Sequence, residues 1–229
     1  MRLSVNHRTQ ASLSVGYLTV YFGLGLEIVL ATPVLQQLGL SAVQAGSLWA
    51  ARSILCIFGP ILWGLWADKF GRGPLVLRIT FLGACGCHLG MFFLHDTLWG
   101  LVTFFILLGF FMSGIIVMVD GLVLRFLEGQ QHRYGRLRLF GGIGFGIAGY
   151  GAAQMDLQNS QVLVQTFFLG SMSVYFLGFL AQTLLPTLKS PPFQEGVFRQ
   201  TLGIVRSFPV LLLLVMIVAQ WGSHGIYTG

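Results

Sequence analysis

Long apolar stretches separated by short charged connectors set the pattern of this chain. At about 20 apolar residues per bilayer crossing, seven candidate spans can be marked. They run over Leu13–Leu35, Val43–Trp66, Leu75–Leu94, Leu98–Leu127, Leu139–Ala153, Val162–Leu185 and from Phe208 to Gly229. The first is too long for the core of a signal peptide and no small-residue cleavage site follows it, so it is expected to stay as a helix. The pattern predicts an all-α membrane protein.

Composition strengthens that expectation. Hydrophobic residues make up 55% of the chain and charged residues 9%, with a mean hydropathy of +0.80, which leaves too little polar surface for a soluble globule. A net charge of +6 would suit a nucleic-acid binder, but the basic residues sit in connectors rather than on one soluble face, so no nucleic-acid partner is expected. Twelve of the 13 Lys and Arg alternate onto one side: Arg2, Arg8, Lys69, Arg72, Arg78, Arg125, Arg133, Arg136, Arg138, Lys189, Arg199 and Arg206. By the positive-inside rule that side, with the N-terminus, is cytoplasmic. Arg52 alone has no such address.

Cys56, Cys85 and Cys87 all fall inside spans. The tract Cys85-Gly86-Cys87-His88 has metal-like spacing, but closely spaced ligands on one lipid-embedded helix do not close a tetrahedron, so packing roles and no metal are expected. His88 itself is expected to be a hydrogen-bonded packing histidine on a peripheral helix. Pro186 to Glu195, with Pro191-Pro192, ends the sixth span. The expected organisation is therefore a six-helix bundle over 1–188, the start of a cytoplasmic linker over 189–206, and a truncated seventh helix over 207–229. A chain ending in a helix without partners reads as a fragment, with a C-terminal half-bundle missing.

Between the second and third spans stands Gly64-Leu65-Trp66-Ala67-Asp68-Lys69-Phe70-Gly71-Arg72. Its glycines allow a tight turn, Asp68 faces a helix end, and Lys69 and Arg72 suit an anionic membrane face. This segment resembles the signature loop of the major facilitator superfamily of transporters, with Gly73 where many members carry a second basic residue. The resemblance implies the superfamily's helical fold and a gating role for Gly64, Asp68, Gly71 and Arg72. Tyr134-Gly135-Arg136-Leu137-Arg138-Leu139-Phe140-Gly141 is similar to the start of the fifth helix in the lactose permease, the nucleoside:proton symporters and, most of all, the phenylpropionate permease-like group. Met118-Val119-Asp120-Gly121, Ala50-Ala51-Arg52 and Ser223-His224-Gly225-Ile226-Tyr227 fit the same group.

Asp120 and Arg138 each lie nine residues from a turn placed near Gly129, so on antiparallel helices they reach about the same depth and are expected to meet. Intramembrane charges mark function by default; the alternative is a salt bridge that ties the hairpin. The resemblance implies solute contact for both. Arg136 is expected to be a surface anchor. Glu27 and Arg52 also share a depth and are expected to pair across helices one and two, as a structural tie, an external gate or an anchor for an anionic or hydroxylated solute. Bidentate geometry makes Arg52 the choice for a solute carboxylate. Gln220 and His224, four apart on one face, are implied cavity residues, with Tyr227 nearby. Small residues recur in the fifth span at Gly142 and Gly146, and at Gly144, Ala148 and Ala152, as close helix packing in lipid requires.

The function expected from these features is secondary active transport by alternating access, as proton-coupled uptake of a small organic solute such as an aromatic carboxylate. A sugar or nucleoside symporter is the alternative, and a non-transporting sensor or assembly protein is the alternative of another class. A drug-exporting antiporter fits less well, because span four lacks the central arginine and span five the glycine-proline motif of that class. No nucleophile–base pair, phosphate loop or metal spacing points to an enzyme. No cofactor is expected beyond the coupling proton, and the bacterial inner membrane is the expected location.

Overall fold

The computed structural model describes residues 7–127, 130–155 and 159–185, together with Leu212. Among these, seven α-helices follow in order: α1 (His7–Gln37), α2 (Ala42–Phe70), α3 (Gly73–Leu94), α4 (Leu98–Phe126), α5 (Tyr134–Ala153), α6 (Ser160–Gln165) and α7 (Ser171–Thr183). A 3-10 turn at Gln131–Arg133 leads into α5, and a π-helical turn at Thr166–Gly170 joins α6 to α7, so the sixth span is one continuous rod. The chain divides into two compact units, Met1–Pro191 and Pro192–Gly229. Apart from Leu212, the expected linker over 189–206 and the seventh span lie outside the described residues, as does the hairpin tip at Gly129.

Helix ends are set by caps rather than by where hydropathy fades. Ser41 opens α2 with a reciprocal capping box: its hydroxyl accepts from the Gln44 amide at 3.3 Å, and its own amide donates to Gln44 Oε1 at 2.8 Å. At the other end Gly71 takes φ 62°, a left-handed conformation that glycine adopts without strain, and turns the chain into α3. The first helix starts at His7 and the fifth at Tyr134, each earlier than its apolar window predicts. Arg136 and Arg138 therefore lie on α5 itself and not in the connector.

Among the described residues, five segments are long and apolar enough to cross a membrane: Arg8–Gln37, Ala42–Phe70, Gly73–Leu94, Leu98–Phe126 and Gln161–Thr183. The remaining helix, α5, has 20 residues and so a length of about 30 Å, but its arginines and glycines keep it less apolar. Its own packing explains why it is still held. Gly141, Gly144, Ala148 and Ala152 form its buried stripe against α1. At Gly144 the α1 backbone comes so near that a Cβ would press on the carbonyl of Leu18. The stripe expected at Gly142 and Gly146 is the uncovered one: a Cβ at either meets nothing within 4 Å. Between helices in lipid such close packing, not the hydrophobic effect, supplies the attraction.

Around the bundle the neighbours run α5, α1, α7, α3, α4, α2. Phe81, Phe105, Phe167, Phe168 and Tyr175 fill its middle and are fully buried. The α2–α4 contact is pinned by Trp63, whose indole N–H donates to the Phe110 carbonyl at 2.9 Å. The α3–α7 contact is pinned by Arg78, which donates to the carbonyls of Gln182 at 3.0 Å, Leu185 at 2.9 Å and Thr183 at 3.4 Å. These carbonyls lie at the C-terminal end of α7, where backbone donors run out and the helix dipole favours a cation. At the end of the row, α2 leaves Ile54, Ile57, Phe58, Ile61, Leu65 and Trp66 exposed.

Candidate functional site

Two polar clusters hang on α1, about 15 Å apart along its axis, since Tyr17 and Glu27 are ten residues apart at 1.5 Å each. The first lies near the end of the bundle where Arg8, Lys69, Arg72, Arg125 and Arg133 gather. Tyr17 of α1 donates its hydroxyl to Asp120 Oδ1 of α4 at 2.5 Å, and Tyr134 of α5 donates to the same oxygen at 3.0 Å. Arg138, one turn further along α5, donates to the Tyr134 hydroxyl at 2.5 Å and stands 3.9 Å from Asp120 Oδ2. Its guanidinium also lies 5.7 Å from the centre of the Tyr134 ring. Asp120 and Arg138 thus meet, chiefly through the tyrosine between them.

This cluster is open. The side chain of Arg138 is 51% exposed and that of Asp120 26%, while Tyr17 is buried beneath them. Asp120 Oδ2 keeps acceptor capacity and Arg138, which also lies near the Tyr21 hydroxyl, keeps donors beyond its bond to Tyr134. Three helices therefore present a paired acceptor and donor set to whatever occupies the adjoining space. Arg136 is exposed, on the outer side of α5.

The second cluster is closed. Glu27 of α1, Arg52 of α2, His88 of α3 and Tyr175 of α7 are all buried. Arg52 forms an ion pair with Glu27 Oε2, and Tyr175 donates to Oε1 at 2.7 Å. His88 Nε2 stands 3.5 Å from the same Oε1. The Arg52 guanidinium is flanked by Trp49 at 5.0 Å and Phe105 at 5.1 Å, which offer ring faces to a cation otherwise short of partners. Arg52, expected to be the group for a solute carboxylate, here has its carboxylate supplied by Glu27.

His88 is not the hydrogen-bonded packing residue expected of it. Neither ring nitrogen has a hydrogen-bond partner among the described residues, and from α3, which packs chiefly on α4 and α7, the ring reaches to within 3.5 Å of Glu27. The metal-like tract is split by the helix: Cys85 Sγ donates to the Met172 carbonyl at 3.6 Å, while His88 faces α1. A cleft of about 320 Å³ lined by Gln37, Phe92, His95, Gln161 and Gln165 lies away from both clusters.

Residues 64–70, expected to belong to a loop, form the last turns of α2, and only Gly71 and Arg72 make the turn into α3; on that helix end Asp68 Oδ1 receives Arg125 of α4 at 3.4 Å, a pair roughly half exposed on both sides. Lys69 and Arg72 are exposed, and Gly64 is half-buried with open space beside it. Gln220 and His224 lie outside the described residues, as does Tyr227.

Tyr17, Tyr134, Tyr175 and His88 were missed as site residues. One signal was present: Tyr134 precedes Arg138 by four and so shares its helix face. For Tyr17 and Tyr175 the partners lie 103 and 148 residues away in sequence, and no local pattern marks them.

The chain is 28% identical over 209 residues to a maltose permease of Geobacillus stearothermophilus, covering 90% of this chain and 52% of that protein. It is 29% identical over 154 residues to the uncharacterized transporter YwbF of Bacillus subtilis (strain 168), covering 66% of this chain and 38% of that protein. The chain thus spans about half the length, or less, of the curated relatives it matches. No solved structure matches it. The family model described as the MFS_1 like family matches residues 11–228, a stretch that takes in the 64–72 segment and both charged clusters, and the chain belongs to that family, within the major facilitator superfamily.

Proposed function

We propose that this chain supplies the first half of a secondary active transporter that takes up a small organic solute by alternating access, driven by protons. The observation that carries the reading is the open Tyr17–Asp120–Tyr134–Arg138 cluster, built from three helices at one depth. Charge is costly inside a membrane and is placed where water and solute reach it. The 64–72 segment at the end of α2, with Asp68 on Arg125, is the gate that changes partners between conformations. The N-terminus lies on the cytoplasmic side of a bacterial inner membrane, in keeping with the one-sided Lys and Arg distribution. Residues 1–188 act as one bundle and 189–206 as the linker to the next.

For the solute, an aromatic carboxylate would bind through Arg138, with the tyrosines stacking on its ring. A neutral hydroxylated solute, a sugar or nucleoside, is favoured by Asp120: a carboxylate beside the arginine repels an anion but accepts from hydroxyls. The relative named a maltose permease supports the same class. The test is flux of labelled solutes into vesicles containing the full-length protein, with and without Arg138→Ala and Asp120→Asn. A hydroxylated substrate loses uptake in both variants. An aromatic acid loses it with Arg138→Ala and keeps or gains it with Asp120→Asn. No flux of any solute in the wild type would refute the transport reading in favour of a sensor or assembly role.

A further inference from the structure

His88 is the buried group with the least explanation. Its ring sits between Tyr175, stacked at 5.6 Å, and Phe167, edge-on at 5.5 Å, with no exposure at all. Both nitrogens lack hydrogen bonds among the described residues. A buried polar group left in that condition is costly, and native structures seldom keep one without a purpose. The orphaned Nε2 is 3.5 Å from Glu27 Oε1, which is one short step from a hydrogen bond.

We propose that His88 and Glu27 form a proton-binding site within this bundle. A proton taken up on the imidazole turns Nε2 into a charged donor aimed at Oε1, and the contact closes into a charge-assisted hydrogen bond. The proton comes from water, the imidazole gains one N–H bond, and nothing else is exchanged. The carboxylate is already matched by Arg52, so the proton leaves the cluster with one uncompensated positive charge. Such a charge is tolerated only when water or an anion reaches it. Proton uptake thus favours an arrangement in which the closed cluster opens, and release favours the closed one.

The other groups around His88 set the terms. From α1 it faces Glu27, and from α7 Tyr175, which competes for Oε1 at 2.7 Å. Through Glu27 the site also meets Arg52 of α2, which is paired to Oε2, while Cys56 of α2 lies on the Gly109 carbonyl and Cys85 of α3 on the Met172 carbonyl. The π-helical turn contributes Phe167, and Phe105 of α4 lies on the Arg52 guanidinium; neither titrates. Arginine stays charged throughout, which leaves His88 and Glu27 as the pair able to share the proton.

The inference rests on the proton-driven reading for its role in transport, but the site can be read without any flux. Histidine labelled at the ring carbon is followed by NMR in the full-length protein in nanodiscs from about pH 5 to 9, with His88→Gln assigning the signal. The His88 resonance is expected to titrate. Glu27→Gln should lower its midpoint by at least about one pH unit, because the anion that favours the imidazolium is gone. Tyr175→Phe, which removes the competing donor, should raise it. A resonance that stays fixed across the range, or a midpoint that ignores both changes, overturns the proposal. In vesicles, His88→Gln should flatten the pH profile of solute accumulation; a wild type without flux would refute the transport reading while the titration still decides the site.

Discussion

Replacing Arg52 with methionine keeps much of the side chain's length and removes its charge. What remains is Glu27, fully buried, holding only the Tyr175 hydroxyl at 2.7 Å and an imidazole at 3.5 Å. Breaking a buried pair from one side costs about 3–5 kcal/mol, because the surviving charge stays in a low-dielectric site. For a unit of this size that is a fall in Tm of roughly 6–20 °C. Adding Glu27→Gln removes the stranded charge, and the double variant should recover most of the loss, since a pair replaced by neutral groups of similar volume is close to neutral. The coupling between the two changes should therefore exceed about 2 kcal/mol. Thermal unfolding of the purified protein in detergent, read for the wild type, both single variants and the double, gives the full cycle. An Arg52→Met protein within about 2 °C of wild type, or a double variant worse than either single one, would refute the view that Glu27 is held as an anion by Arg52.

Three further outcomes follow from the geometry. Tyr134→Phe takes away the hydroxyl that joins Asp120 to Arg138, and solute affinity should drop about 5- to 30-fold, the equivalent of about 1–2 kcal/mol, in a binding assay on the full-length protein. Arg78→Ala uncaps the end of α7 and should cost about 1–3 kcal/mol in thermal unfolding, with Arg78→Lys recovering part of it. Gly144→Ala sets a methyl against the Leu18 carbonyl and should destabilise by about 1–3 kcal/mol, whereas Gly142→Ala meets open space and should be neutral or slightly stabilising.

Charges in apolar windows made part of this arrangement legible from residue order alone. Glu27, Arg52, Asp120 and Arg138 stand out because hydrocarbon tolerates them poorly, and counting along helices places each pair at a common depth. The same reasoning is blind to who else shares a charge. Tyr17, Tyr134 and Tyr175 look like ordinary aromatic content in a chain with 20 Phe, and only the folded bundle shows three hydroxyls spent on two carboxylates. His88 was misread for a related reason: a lone histidine on an apolar helix has no periodicity to announce its partner. The glycine stripes of α5 were seen, but which stripe meets α1 depends on helix rotation, and two adjacent stripes of small residues look equivalent in sequence.

The π-helical turn at Thr166–Gly170 decides where Tyr175 points. Leu163, Phe167, Ser171 and Tyr175 are all fully buried, at a stride of four. In an unbroken α-helix each such stride overshoots a full turn by about 40°, so the fourth member would have drifted by about 120° from the first. One surplus residue in the wider turn takes back about 100° of that drift. Deleting a single residue there would restore a regular helix and leave the downstream faces where they are, whereas winding the same residues into an unbroken α-helix would swing the Tyr175 hydroxyl about 100° off Glu27 without altering any side chain of the cluster.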